Sequence, residues 1–185
     1  MTMRFSLAAA LLAVALTVPA LAALSIGTKA PDFTLPATIG GNTFTFSLAD
    51  ALKKGTVVLY FYPAAFTKGC TIEAHDFADA IDQYKALGAT VIGVSHDDVA
   101  TLQKFSTSEC RSKFAVAADT NQAVMKSYDA ILPQHPQYAN RTSYVVVPDG
   151  TIVYAYTSLD PSLHVQNTLN ALKTWKADHA SGATP

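Results

Sequence analysis

The unbroken run Thr56-Val57-Val58-Leu59-Tyr60-Phe61-Tyr62 constrains the fold of this chain more than any other segment. No polar residue alternates within it, so it reads as a strand covered on both faces, inside a sheet with helices packed above and below. Pro63 stops the run, a short loop follows, and from Cys70 the period becomes helical. Phe77, Ile81, Tyr84 and Leu87 recur on one face, and Gly88 closes the helix. The same alternation then repeats. Thr90 to Ser95 is a second buried strand, after which Asp97 or Asp98 can cap a helix carrying Val99, Leu102 and Phe105. Phe114 to Ala118 is a third strand, and Asp119 or Thr120 can cap a helix carrying Val124, Met125 and Tyr128.

Both ends of this core depart from simple alternation. Ala30 to Pro36 is an extended segment limited by prolines, Gly40-Gly41-Asn42 is a turn, and Thr43 to Phe46 has period two, which together predict an N-terminal hairpin. Thr142 to Val147 and Thr151 to Thr157 flank Pro148-Asp149-Gly150 and predict a second hairpin. A last helix has Asp160 as N-cap, Pro161 at its first position and an apolar stripe of Val165, Leu169, Leu172 and Trp175. Residues 180–185 are expected to form a loose tail. Strand–helix alternation followed by a hairpin and a helix defines an α/β domain with a mixed central sheet flanked by helices. The order fits a thioredoxin-like fold with an N-terminal β-hairpin extension.

The first residues read differently. Met1 to Arg4 gives a short positive end, Phe5 to Val18 is nearly all apolar, and Pro19-Ala20-Leu21-Ala22 supplies small residues at a cleavage spacing. Residues 1–22 are therefore expected to be a signal peptide, cut near Ala22 or Ala23, leaving one domain over residues 23–185 that is exported, with the periplasm as its expected location. The apolar run is short for a bilayer span, and no stop-transfer charges follow. A net charge of −1 over the whole chain, with scattered lysines, gives no electrostatic reason to expect nucleic acid or an anionic membrane as partner.

Cys70 is the residue that points to chemistry. A thiol where a strand gives way to a helix meets unpaired backbone N–H groups and the positive end of the helix dipole, and both favour the nucleophilic thiolate. A buried, inert cysteine is the plain alternative for the residue taken alone. Its neighbours decide between them. The spacing Pro63-x-x-x-Thr67-x-x-Cys70-Thr71-x-Glu73 resembles the signature of the peroxiredoxins, the AhpC/TSA superfamily, and within them the bacterioferritin-comigratory or PrxQ-like branch. Ala30 to Leu35, Gly93-Val94-Ser95 and Arg141 to Val146 resemble further segments of that family in the same order.

The resemblance implies a thiol-dependent peroxidase of antioxidant defence, acting on hydrogen peroxide and organic hydroperoxides, with no metal, haem or flavin as cofactor. Cys70 would attack the terminal peroxide oxygen and become a sulfenic acid. Charge then spreads over sulfur and both oxygens, so fixed donors in a dry pocket are needed. The Thr67 hydroxyl, a loop N–H and the permanent cation of Arg141 would supply them. Pro63 would shape and shield the pocket, and Glu73 would orient Arg141 through a carboxylate–guanidinium pair. Taken alone, Thr67 could equally be a helix cap, Glu73 a partner of the helix dipole and Arg141 a surface strand residue.

The resolving step is less conventional. Some members of the branch carry a second cysteine five residues after the reactive one, and here that position is His75, read as exposed filler. Cys110 is then the candidate resolving thiol, joining Cys70 in an intrachain disulfide that a thioredoxin-like or other thiol reductant would reopen. Arg111 beside it would favour its thiolate. A resting structural disulfide, or a bystander thiol with an external resolver, are the alternatives. His96, His135, His164 and His179 lack metal-ligand spacing and read as surface or loop residues, and Tyr60 and Phe66 as packing. The protein is expected to be a monomer or a dimer. A dithiol-exchange protein would need a C-x-x-C at the helix start, which is absent. A non-enzymatic exported binding domain with one structural disulfide is the remaining rival.

Overall fold

The apolar run does become an interior strand, with paired chain on both of its edges. The structure, a computed structural model, describes residues 23–180. The expected signal peptide and nearly all of the expected tail lie outside them. In chain order the elements are β1 (Thr34–Ile39), β2 (Asn42–Ser47), α1 (Leu48–Leu52), β3 (Thr56–Phe61), α2 (Lys68–Ala86), β4 (Ala89–Ser95), α3 (Val99–Ser108), β5 (Ala115–Ala118), α4 (Ala123–Ser127), β6 (Thr142–Val146), β7 (Ile152–Thr157) and α5 (His164–Ala180), with a 3-10 turn at Pro161–Leu163. The strands form one seven-stranded sheet in the order β2-β1-β5-β4-β3-β6-β7. The β3/β4 and β4/β5 pairs are parallel, and the outer pairs are antiparallel. This is a thioredoxin-like mixed sheet with the N-terminal hairpin added at the β5 edge.

The even and odd residues of β3 enter two separate cores. Val57, Leu59 and Phe61 pack with α1, α4 and the N-terminal hairpin, while Val58 and Tyr60 pack with α2, α3 and α5. That division is why the run has no polar alternation: neither face meets water. Cys70 and Cys110 both belong to the second core.

Several local expectations need correction. Helix α1 was not foreseen; Ser47 caps it by accepting from Asp50 N at 3.2 Å. Of the two candidate caps of α3, Asp98 does the work. Asp119 serves α4 from outside the cap position, its two oxygens accepting from Val124 N and Met125 N, while Gln122 occupies the cap. Asp160 and Pro161 start the 3-10 turn rather than α5. The buried side of α5 is His164, Thr168, Leu169 and Leu172, with Val165 and Trp175 half-buried, because hydrogen bonds let two polar side chains replace apolar ones.

Gly93 in β4 is required by close approach rather than by its backbone angles. A Cβ at this position would lie 2.7 Å from Cζ and 2.8 Å from the hydroxyl of Tyr60. Tyr60 is buried and stacked on Phe77, so it has nowhere to withdraw. Gly93→Ala is expected to cost about 1–3 kcal/mol of stability through overpacking, read as a lower urea midpoint. An unchanged midpoint would show that the Tyr60 layer yields freely.

Candidate active site

The site is built where β3 hands over to α2. Tyr62 N still bonds Val94 O at 3.1 Å, extending the β3/β4 pairing one residue past the strand. Pro63 then removes the next donor, and the chain turns through Phe66, whose φ is +64°. Asp97 holds this loop from the end of β4: its Oδ2 accepts Ala65 N at 2.7 Å and the Ser95 hydroxyl at 2.8 Å. Thr67 is the N-cap of α2, and the first helical bond runs from Thr71 N to Thr67 O at 2.9 Å. Cys70 lies within that first turn, where N–H groups precede their partners, and is 1 % exposed.

Arg141, immediately before β6, reaches this thiol. It is 3 % exposed and each of its three nitrogens has an acceptor. Nη2 donates to Cys70 Sγ at 3.4 Å, Nη1 to Glu73 Oε2, and Nε to Leu159 O at 3.1 Å. Such a three-point hold fixes the plane of the guanidinium as well as its position. Gly69 leaves it room, since a Cβ there would sit 3.0 Å from Nη2. Glu73 is wholly buried one turn after Cys70, and its Oε1 has no hydrogen-bond partner. Burial pushes its carboxyl up to about 8, against the opposing pull of Arg141. The buried guanidinium keeps its charge, raised by Glu73 and by the Cys70 sulfur against the cost of burial.

Cys70, Glu73 and Arg141 are thus brought together, with Pro63 and Thr67 on the loop that leads in. Thr67 makes no side-chain cap; its hydroxyl donates to Ala64 O at 2.9 Å and is exposed, leaving its lone pairs free to accept. Both cysteines are free in this structure. Cys110 is fully buried just past α3, and burial, with Glu109 adding to it, pushes its thiol well above the usual range. Arg111 does not counter this: a φ of +50° turns its side chain away to pair with Asp79. His75 is not filler, for its Nε2 lies 2.9 Å from Glu109 Oε2. His164 is neither a surface nor a loop residue; it is fully buried. Phe66 packs edge-on against Phe105 yet stays half-exposed. Gly69, Asp97 and His164 had no signal of their own beyond Asp97's resemblance to a helix cap.

A surface cleft of about 670 Å³ borders the loop at Phe66, with Gly41, Gln103 and Thr107 on its other sides. Another of about 470 Å³ is lined by Phe44, Ile81, Lys85 and Phe114, far along α2 from Cys70. Among the described residues, no group of three or more His, Cys, Asp or Glu is arranged to hold a metal ion.

A thioredoxin-like sheet that presents one buried thiol at a helix start, in contact with a fixed guanidinium, defines a thiol peroxidase. Comparison with known proteins gives the family. The AhpC/TSA family pattern matches residues 26–155, and the chain belongs to that family, the peroxiredoxins. It is 35% identical over 151 residues to the chloroplastic peroxiredoxin Q of Triticum aestivum, covering 81% of this chain and 67% of the relative. It is 32% identical to a putative peroxiredoxin bcp of Helicobacter pylori, covering 80% of this chain and 98% of the relative. Among solved structures, peroxidoxin BcpB of Mycobacterium tuberculosis superposes with a TM-score of 0.73 at 28% identity, covering 80% of this chain and 96% of that one. The AhpC of Enterococcus faecalis, at 23% identity and a TM-score of 0.74, shares the fold, with 86% of this chain and 98% of that one covered.

Proposed function

We propose that Cys70 is the peroxide-reactive residue of an exported peroxidase that reduces hydrogen peroxide and small organic hydroperoxides, with Cys110 resolving the product. The observation that carries this reading is the 3.4 Å contact from Arg141 Nη2 to Cys70 Sγ inside a buried cluster. The thiolate attacks the terminal peroxide oxygen, the O–O bond breaks, and the leaving oxygen takes a proton to become water or an alcohol. Sulfur loses two electrons and Cys70 becomes a sulfenic acid. Arg141 balances charge on sulfur and on the oxygens as it develops. A peroxide that donates its hydrogen to Thr67 Oγ1 is aligned for in-line attack, and Pro63, which offers no competing donor, walls the approach. A thiol this deeply set suits a substrate of a few atoms.

Cys110 then attacks the sulfenic sulfur, water leaves and a disulfide forms, which a thioredoxin-like dithiol of the exported compartment reduces. The segment around Cys110 must first loosen, because Glu109 is tied to His75, Arg111 to Asp79, and Lys113 Nζ to Ala78 O at 3.0 Å, all on α2. Export rests on residues 1–22 acting as a signal peptide.

Treatment of the reduced protein with one equivalent of hydrogen peroxide, followed by disulfide mapping, tests the reading. A Cys70–Cys110 link with loss of two hydrogens from the monomer mass is expected. A lasting sulfenic acid at Cys70 with Cys110 reduced would remove Cys110 from the mechanism, and an unmodified Cys70 would remove the whole reading.

A further inference from the structure

We propose that His164 is a positioning residue for the peroxide site, acting through the turn that holds Arg141. The imidazole is completely buried at the start of α5. Its Nε2 lies 2.9 Å from Ser158 O, and a carbonyl can only accept, so Nε2 carries the hydrogen. Nδ1 is then bare and accepts the Ser143 hydroxyl at 2.8 Å. One tautomer is thereby fixed from both sides. The ring stays neutral, because burial and the Arg141 charge push it down to about 4.

The Ser158 and Leu159 turn is the link to the site. Ser158 N donates to Arg141 O at 3.1 Å, and Leu159 O accepts Arg141 Nε at 3.1 Å. His164 grips the carbonyl between these two bonds, so the third support of the guanidinium is steadied by the imidazole. The same tautomer acts on the opposite side of the cluster. Nδ1 lies 3.6 Å from Glu73 Oε1, the oxygen with no hydrogen-bond partner. A hydrogen on Nδ1 would draw Glu73 toward the imidazole and divide it between two cations or donors. A bare Nδ1 leaves Glu73 to Arg141. Facing His164 are therefore Glu73 from α2, Arg141 before β6, the Tyr156 ring of β7 at 4.8 Å and Asp160 of the 3-10 turn. Ser143 of β6 and the Ser158 carbonyl account for both ring nitrogens.

This inference rests on Cys70 being the peroxide-reactive residue, and two substitutions separate its parts. In His164→Gln the amide nitrogen falls near the place of Nε2 and can still reach Ser158 O. In His164→Asn the amide falls near Nδ1, and the bond to Ser158 is lost. The readouts are the single-turnover rate with hydrogen peroxide and the pH midpoint of Cys70 alkylation by iodoacetamide. His164→Asn is expected to slow the peroxide reaction by roughly tenfold to a hundredfold, the usual cost of a displaced catalytic group, and to move the alkylation midpoint upward. His164→Gln is expected to stay within about threefold of wild type, since the bond that steadies Arg141 is kept. A folded His164→Asn with wild-type rate and midpoint would overturn the proposal. So would a His164→Gln variant whose midpoint rises, which also decides the matter if the asparagine variant fails to fold. A wild-type Cys70 inert to peroxide would instead overturn the reading on which the proposal rests.

Discussion

Arg141→Met should slow the reaction of Cys70 with hydrogen peroxide by about a hundredfold to a thousandfold, the usual cost of removing one fixed donor to developing negative charge. Its effect on stability should depend on pH. Methionine fills much of the space but leaves Glu73 buried without its cation, and breaking a buried pair in this way costs about 3–5 kcal/mol while the remaining charge persists. Glu73 can escape that cost by taking a proton. In the intact protein its carboxyl is already raised from an ordinary 4.5 to about 8. A carboxyl raised in the folded state stabilises the fold while protonated; that contribution is complete below 4.5 and is lost as the pH climbs through about 8. Without Arg141 the folded value moves higher still, so the loss continues further into alkali. Urea midpoints of variant and wild type should therefore differ little at pH 5 and widely at pH 9. Adding Glu73→Gln to Arg141→Met should flatten the extra pH dependence without restoring the peroxide rate. A deficit in the single variant that ignores pH would mean Glu73 is not the group left uncompensated.

That pairing also shows what the sequence could and could not reveal. Cys70 and Glu73 share a turn of one helix, and their spacing alone puts them near each other. Arg141 is far along the chain, and no period or spacing joins it to Cys70; its assignment came from family resemblance. Its supports were less visible still. Gly69 reads as a loop glycine until the guanidinium is seen against it. Asp97 resembles a helix cap, yet its carboxylate holds Ala65 N and the Ser95 hydroxyl. His164 falls beside an apolar stripe and looks expendable, because hydrophobic periodicity cannot register a polar side chain buried through hydrogen bonds. The β3 run, by contrast, was legible because burial on both faces leaves its mark on every residue. Adjacency misled at Arg111: the neighbour of Cys110 in sequence became a partner of Asp79 because the backbone turns left-handed there.

Cys70→Ser should abolish peroxide reduction, by more than about four orders of magnitude, because a serine hydroxyl stays protonated and leaves no nucleophile for the O–O bond. Arg141 would still lie against the site, which makes this variant a test of the sulfur rather than of the charge around it. Cys110→Ser should behave quite differently. Cys110 lies past the end of α3, has no contact with Arg141 among its hydrogen bonds, and has a thiol held in its neutral form by burial. It therefore contributes nothing to the first oxidation, whose single-turnover rate should stay within about twofold of wild type. The fate of the product should change. With one equivalent of peroxide, Cys110→Ser should accumulate a Cys70 sulfenic acid that dimedone captures, where wild type gives a disulfide and little adduct. With further equivalents the unprotected sulfenic acid should advance to sulfinic acid. Equal dimedone capture in both proteins would show that Cys110 does not arrive in time. Peroxide reduction surviving in Cys70→Ser at the wild-type rate would mean that the contact between Arg141 and Cys70 is not the reacting centre.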